Sequence, residues 1–160
     1  MKNSHIVPAV EKVSATDNVA YVAISRLPSD KGVLSRLFGD IARNGVRLDL
    51  ITQITEYTNK MSVSFSLNDE DFLKLSPILK ALKESFPDVD IAASTGNTKI
   101  SIFGQKINEY VGVAKTVFDI FDECNIDIKV ISTSEVDISI LMDEIYEDEI
   151  IHRLKETFKL

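Results

Sequence analysis

Three short stretches hold the residues whose types and spacing could do chemistry. Asp30-Lys31-Gly32 stands directly before Val33, Leu34, Leu37, Phe38 and Ile41, an apolar series at helical spacing. A helix beginning there would aim free N–H groups and its positive dipole end at residues 31–35, a cradle for a carboxylate. Asp30 adds an acceptor that can meet an ammonium group. Gln53, near the end of the alternating run 46–55, carries an amide that both donates and accepts. In the second half, Ser132-Thr133-Ser134-Glu135 sets three hydroxyls beside a carboxylate. This inventory offers polar, noncovalent contacts to a small ligand. Group transfer is a poor match, because no Gly-rich phosphate cradle is present.

Each residue also has a plainer use. Asp30 is a good turn and cap residue, Gly32 and Gly112 can supply positive φ, and 132–135 can be a polar turn between strands. Asp49 reads most simply as an exposed strand residue. Cys124 lies near a helix end with no basic neighbour in sequence to activate it. His5 and His152 have no partner at metal-ligand spacing, so zinc is not expected, and no other cofactor is. Asp143, Glu144, Glu147, Asp148 and Glu149 lack the spacing and glycine of a calcium loop; they read as a solvated helix start.

The elements that must position these residues come in two rounds. With 44% apolar residues the 160-residue chain can bury a core, and its net charge of −7 argues against a nucleic-acid partner. Apolar runs are too short to span a bilayer, so no membrane partner is expected. Residues 1–8 do not read as a secretory signal. The single cysteine fits a reducing cytosol. Sliding the sequence by about eighty residues sets Gly32 on Gly112, Val33 on Val113, Phe38 on Phe118, Leu48 on Ile128, Leu50 on Val130 and Ile51 on Ile131.

The first round reads as strand 19–26, helix 33–43, strand 46–55, strand 61–67, a helix from 69 to 86 that Pro77 kinks, and strand 89–93. In strand 61–67, serines 62, 64 and 66 make a hydroxyl face opposite an apolar one. The second round reads as strand 98–103, a loop 104–112, helix 113–125 with Val117, Phe118 and Phe121 inward, strands 126–132 and 137–142, and helix 146–158. No closing strand follows, which leaves that sheet a strand short. Residues 6–15, with Val7, Ala9, Val10 and Val13, are available to fill the place. The expected fold class is α+β: two ferredoxin-like units, each an antiparallel four-stranded sheet with two helices on one face, the first nested within the second. The expected division is 16–95 for the first unit and 6–15 plus 96–160 for the second.

Val130-Ile131-Ser132-Thr133-Ser134-Glu135-Val136-Asp137-Ile138-Ser139 resembles the signature of the second regulatory ACT domain of aspartate kinases. Asp30-Lys31-Gly32, Asp49-Leu50-Ile51-Thr52-Gln53 and Ser62-Val63-Ser64-Phe65 support that likeness, which covers nearly the whole chain. Two loops depart from it. The family's Asp-Lys-Pro-Gly is here Asp30-Lys31-Gly32, and its His-Pro-Gly is here Tyr110-Val111-Gly112. The resemblance implies effector contacts at Asp30, Gly32, Val33, Asp49 and Gln53, with Gly112, Val113, Ser132, Thr133, Ser134 and Glu135 as counterparts. It implies lysine or threonine as effector, a homodimer formed through the ACT domains, and a kinase domain or catalytic subunit as partner, since the kinase Lys-Phe-Gly-Gly motif is absent. The alternative is a free-standing ACT sensor acting on another enzyme or a transcriptional regulator.

Overall fold

The computed structural model describes residues 6–160, and His5 lies outside them. The chain divides into an inner unit, Asn18–Gly96, and an outer unit, Met1–Asp17 with Asn97–Leu160. The names refer to place in the sequence. Two long strands, β1 (Lys12–Pro28) and β4 (Asp90–Phe103), each give one part of their length to each unit. Each spans two of the sequence-expected strands. Between those pairs the sequence offers the polar turn formers Asp17-Asn18 and Thr95-Gly96-Asn97, which suggest breaks. The chain absorbs them within the strands, with Asn18 at φ 56° and Gly96 at φ 68°.

In the inner unit, α1 (Val33–Arg43), β2 (Leu48–Thr55), β3 (Lys60–Asn68) and α2 (Ser76–Ser85) complete a sheet ordered β2-β3-β1-β4. Val33, Leu37 and Ile41, at four-residue steps, bury one stripe of α1 against Val22, Ile24, Val63 and Phe65. Each such side chain contributes about 1.5–3 kcal/mol on burial. Phe38 packs edge-on against Phe65, ring centroids 5.9 Å apart.

One expectation needs correcting here. Residues 69–86 do not form one kinked helix. A 3-10 turn over Asp69–Leu75, begun by Asn68 accepting from the Glu70 amide, leads into α2, and Pro77 sits in the first turn of α2, where its missing N–H costs nothing. Serines 62, 64 and 66 alternate along β3 as the hydroxyl face, and among them Ser66 is fully buried. The β2–β3 register shifts between Leu48 and Ile51, and the Ser66 hydroxyl accepts the Leu50 amide at 3.0 Å there.

The outer unit uses α3 (Val113–Glu123), β5 (Val130–Thr133), β6 (Asp137–Asp143) and α4 (Glu147–Phe158), with its strands ordered β1-β4-β6-β5. Its core includes Ile6, Ala9, Val10 and Val13 from the N-terminal segment, together with Ile100, Ile102, Val117, Phe121, Ile140, Leu154 and Phe158. Residues 7–9 form a 3-10 turn, and β1 begins only at Lys12. Phe118 is exposed, against expectation. The helical period puts Val113, Val117, Ile120 and Phe121 on the inward stripe and turns residue 118 off it. Both units are ferredoxin-like, with antiparallel pairing throughout the registers of β1–β3, β2–β3, β4–β6 and β5–β6.

Candidate functional site

Both units start their first helix the same way. Gly32 and Gly112 take left-handed backbone angles, φ 89° and φ 100°, immediately before α1 and α3, and neither helix has a side-chain cap. The Gly32 carbonyl accepts from the Arg36 amide and the Gly112 carbonyl from the Thr116 amide, each at 3.0 Å. In α1 the Val33 amide is turned back to the Asp30 carbonyl at 3.3 Å. Ahead of Arg36, the amides of Leu34 and Ser35 have no intrahelical acceptor, as in any first turn. A glycine is required at each start because a side chain at these φ values is strained, although open space surrounds both positions.

Asp30, Lys31 and Gly32 are exposed and Val33 is buried. The loop is anchored by the Ser29 amide donating to the Asn59 carbonyl at 3.0 Å. Gln53 lies at the same end of the sheet. It pairs with Val63, two residues from the Thr55–Met61 pair, and Met61 in turn faces Leu27 at the end of β1. Sharing a register position with Val63 puts Gln53 on the helix-side face, roughly 10 Å across two strand spacings from the loop. Its amide donates to the Thr55 hydroxyl at 3.1 Å. Asp49 is separated from this group. It follows Leu48, which pairs with Leu67, at the other end of β2.

In the outer unit, Gly112 and Val113 correspond to Gly32 and Val33, and the eighty-residue slide carries Gln53 onto Thr133. Thr133 pairs with Ile138 on the helix side of β5, while Ser132 pairs with Ser139 on the opposite face. Ser134 and Glu135 form the β5–β6 turn. The Ser134 amide donates to the Asp137 carbonyl at 2.8 Å, and its hydroxyl accepts from the Val136 amide at 3.3 Å. The turn is joined to loop 104–112 by the Gly104 amide donating to the Val136 carbonyl at 2.9 Å.

Sequence reasoning passed over two clusters. Asp137 accepts hydroxyl donation from both Ser101 and Ser139, across β4 and β6 on the helix-free face. Strict alternation of Asp137 and Ser139 with Ile138 and Ile140 was a usable signal. Cys124 does have a basic neighbour: the Arg153 guanidinium, which also pairs with Glu123 at 2.7 Å. Hydrogen bonding to Cys124 is the main cause holding Arg153 above its ordinary range. The two are far apart along the chain, so linear sequence hides the pairing. Of the acidic run, Asp143 accepts the Ile145 amide and Glu147, Asp148 and Glu149 occupy the first turn of α4. Burial, and then a hydrogen bond and like charge from Asp17, raise the Glu147 carboxyl, which a Thr98 hydrogen bond partly offsets.

Residues 100–158 match the family model described as ACT domain, so the fold and this match define a tandem ACT-domain chain. An aspartokinase from Geobacillus stearothermophilus is 30% identical over 94% of this chain. Two solved structures are also similar. One, described as aspartokinase alpha and beta subunits, has 28% identity and a TM-score of 0.85, with 95% of this chain and 100% of that one covered. The other, aspartate kinase from Synechocystis, has 27% identity and a TM-score of 0.86, with 95% and 27% covered. The chain belongs with the regulatory ACT domains of aspartokinases. It spans little more than a third of the length of the curated relatives it matches, 36% of the Geobacillus protein. No helix among the described residues is long and apolar enough to cross a membrane.

Proposed function

We propose that this chain is the amino-acid-sensing part of an aspartokinase, binding lysine, threonine or both and so lowering the activity of a kinase domain or catalytic subunit. The observation that carries the reading is the repeated helix start, an uncapped first turn behind a left-handed glycine, used once in each unit. Free amides there receive the effector carboxylate. In the inner unit Asp30 receives the ammonium and Gln53 the polar part of the side chain. Gly112, Val113, Ser132, Thr133, Ser134 and Glu135 surround the second position, and Asp49, at the other end of β2, is the weakest member of the set.

An effector can bias the enzyme only by its differential affinity for two arrangements, and coupling of about 1–3 kcal/mol suffices. The exposed edge strand β2, with Ile51 54% and Ile54 67% accessible, supports self-association into a homodimer. Calorimetric titration with lysine, threonine and methionine tests the reading. Heat of binding with at least one is expected, and absence of heat and of thermal shift with all three would overturn it. Gln53→Ala and Ser134→Ala should each weaken one site by about tenfold, the loss of one hydrogen bond to a charged group. Unchanged affinity in both rejects the site assignment.

A further inference from the structure

The outer unit's loop 104–112 reaches Gly112 by a longer path than its inner counterpart, and that path runs against the N-terminal segment. A Cβ on Gly104 would stand 1.8 Å from the Ala9 carbonyl oxygen and 2.9 Å from its carbon, so the two backbones touch. The Glu11 amide donates to the Phe103 carbonyl at 2.8 Å. The Glu11 carboxylate then accepts the Gln105 amide at 2.9 Å, across 94 residues of sequence. Ile107, in the middle of the loop, is buried in the same core as Ile6, Ala9 and Val10. A 3-10 turn over Ile107–Glu109 carries the chain on to Tyr110 and the Gly112 start.

From this geometry we infer that Glu11 is a positioning residue for the α3 loop, and that residues 6–11 move with that loop as the output arm of the outer unit's effector position. Apart from the carboxylate contact, backbone approach and shared burial hold the arm to the loop. Glu11 is the one side chain among the described residues seen to hydrogen-bond a loop amide from the arm. Displacing the loop on effector binding therefore displaces the arm, and by linkage an arm held in place changes effector affinity equally. The second half of the inference rests on the sensing function proposed above; the first half does not.

Amide NMR of the full chain tests both halves separately. Without any amino acid, Glu11→Ala should shift the amides of residues 105–113 and speed exchange at Gln105 about threefold, the scale of one exposed hydrogen bond. Glu11→Gln, which keeps an acceptor oxygen, should restore the wild-type pattern. Changes confined to residues 10–12 would overturn the positioning role. With threonine or lysine added, the wild-type chain should respond in both 105–113 and 6–11, and Glu11→Ala should keep the first response and lose most of the second. A loop response with no arm response in the wild type refutes the output role. If neither amino acid shifts any amide, the sensing function and the output role fail, while the ligand-free comparison still decides the positioning role.

Discussion

The inner and outer units share a strand order and a helix start, yet they complete themselves differently. The inner unit draws every element from one continuous stretch, and its helix-start loop is four residues, Ser29 to Gly32, pinned by a single backbone contact. The outer unit takes an edge strand and four buried side chains from the N-terminal segment, and its nine-residue loop is fastened to that segment. Two copies of one plan thus differ in how their helix-start loops are tied to the rest of the chain. The inner loop is held by a neighbour in its own unit's hairpin, whereas the outer loop is held by sequence some ninety residues away.

Deleting residues 1–15 should break the comparison most severely. It removes Ile6, Ala9, Val10 and Val13 from the outer core, on the order of 6 kcal/mol of burial, comparable to a whole domain's stability. Amide signals from 97–160 should collapse while those of 19–95 keep their dispersion; a dispersed outer unit would show that the arm is dispensable. Cutting near Gly96 should likewise fail to give two stable halves. Next in size is Gly104→Ala, which drives a methyl into the Ala9 carbonyl and should cost about 2–3 kcal/mol by chemical denaturation. Gly39→Ala is the inner control: its Cβ meets only the Arg43 side chain at 3.4 Å within α1, so a gain of about 0.5–1 kcal/mol is expected.

The smallest effect concerns Glu147 in the outer unit. Its folded carboxyl is raised, chiefly by burial, so the folded state holds the proton more tightly than the unfolded chain. Stability from this group is therefore full below the unfolded value, and is lost as pH rises through the folded one. At pH 7 the charged form is a slight burden, and Glu147→Gln should raise Tm by about 1 °C, discounted for solvent screening. The difference should vanish towards pH 4, and a gain that persists there would show it is not electrostatic.

Much of this was legible in the residues. Helical spacing located α1 and α3 within two residues of their ends, and alternation located β3 and β6, because each buries one face of a regular element. The Gly32–Gly112 correspondence survives as matched backbone angles. What stayed hidden depended on partners far away in sequence. Asp17-Asn18 and Gly96 read as breaks because turn propensity is local, while the neighbouring strand that holds them extended is not. The burial of Ser66 stayed hidden because a register shift, invisible to alternation, gave its hydroxyl a buried amide to accept. The contacts of Glu11 with Gln105, of Arg153 with Cys124, and of Asp137 with Ser101 join separate segments, and spacing along the chain does not show which segments meet. Phe118 failed for another reason: hydrophobicity alone does not say which side of a helix a residue is on.

The 17-residue strand β1 has a further consequence for how the protein is made. A ribosome delivers the outer unit's edge strand first and the strand it must pair with some eighty residues later. By then the inner unit's whole complement has emerged and can close. During that interval Val13 on the unpaired strand, and Val10 just ahead of it, lack their core partners, a state open to capture by a neighbouring nascent chain or a chaperone. At translation rates of about 5–20 residues per second the wait lasts seconds, long compared with hairpin formation. Glu11 and Lys12 between those valines, with Ser14, Thr16 and Asp17 after them, break the apolar run of the waiting segment.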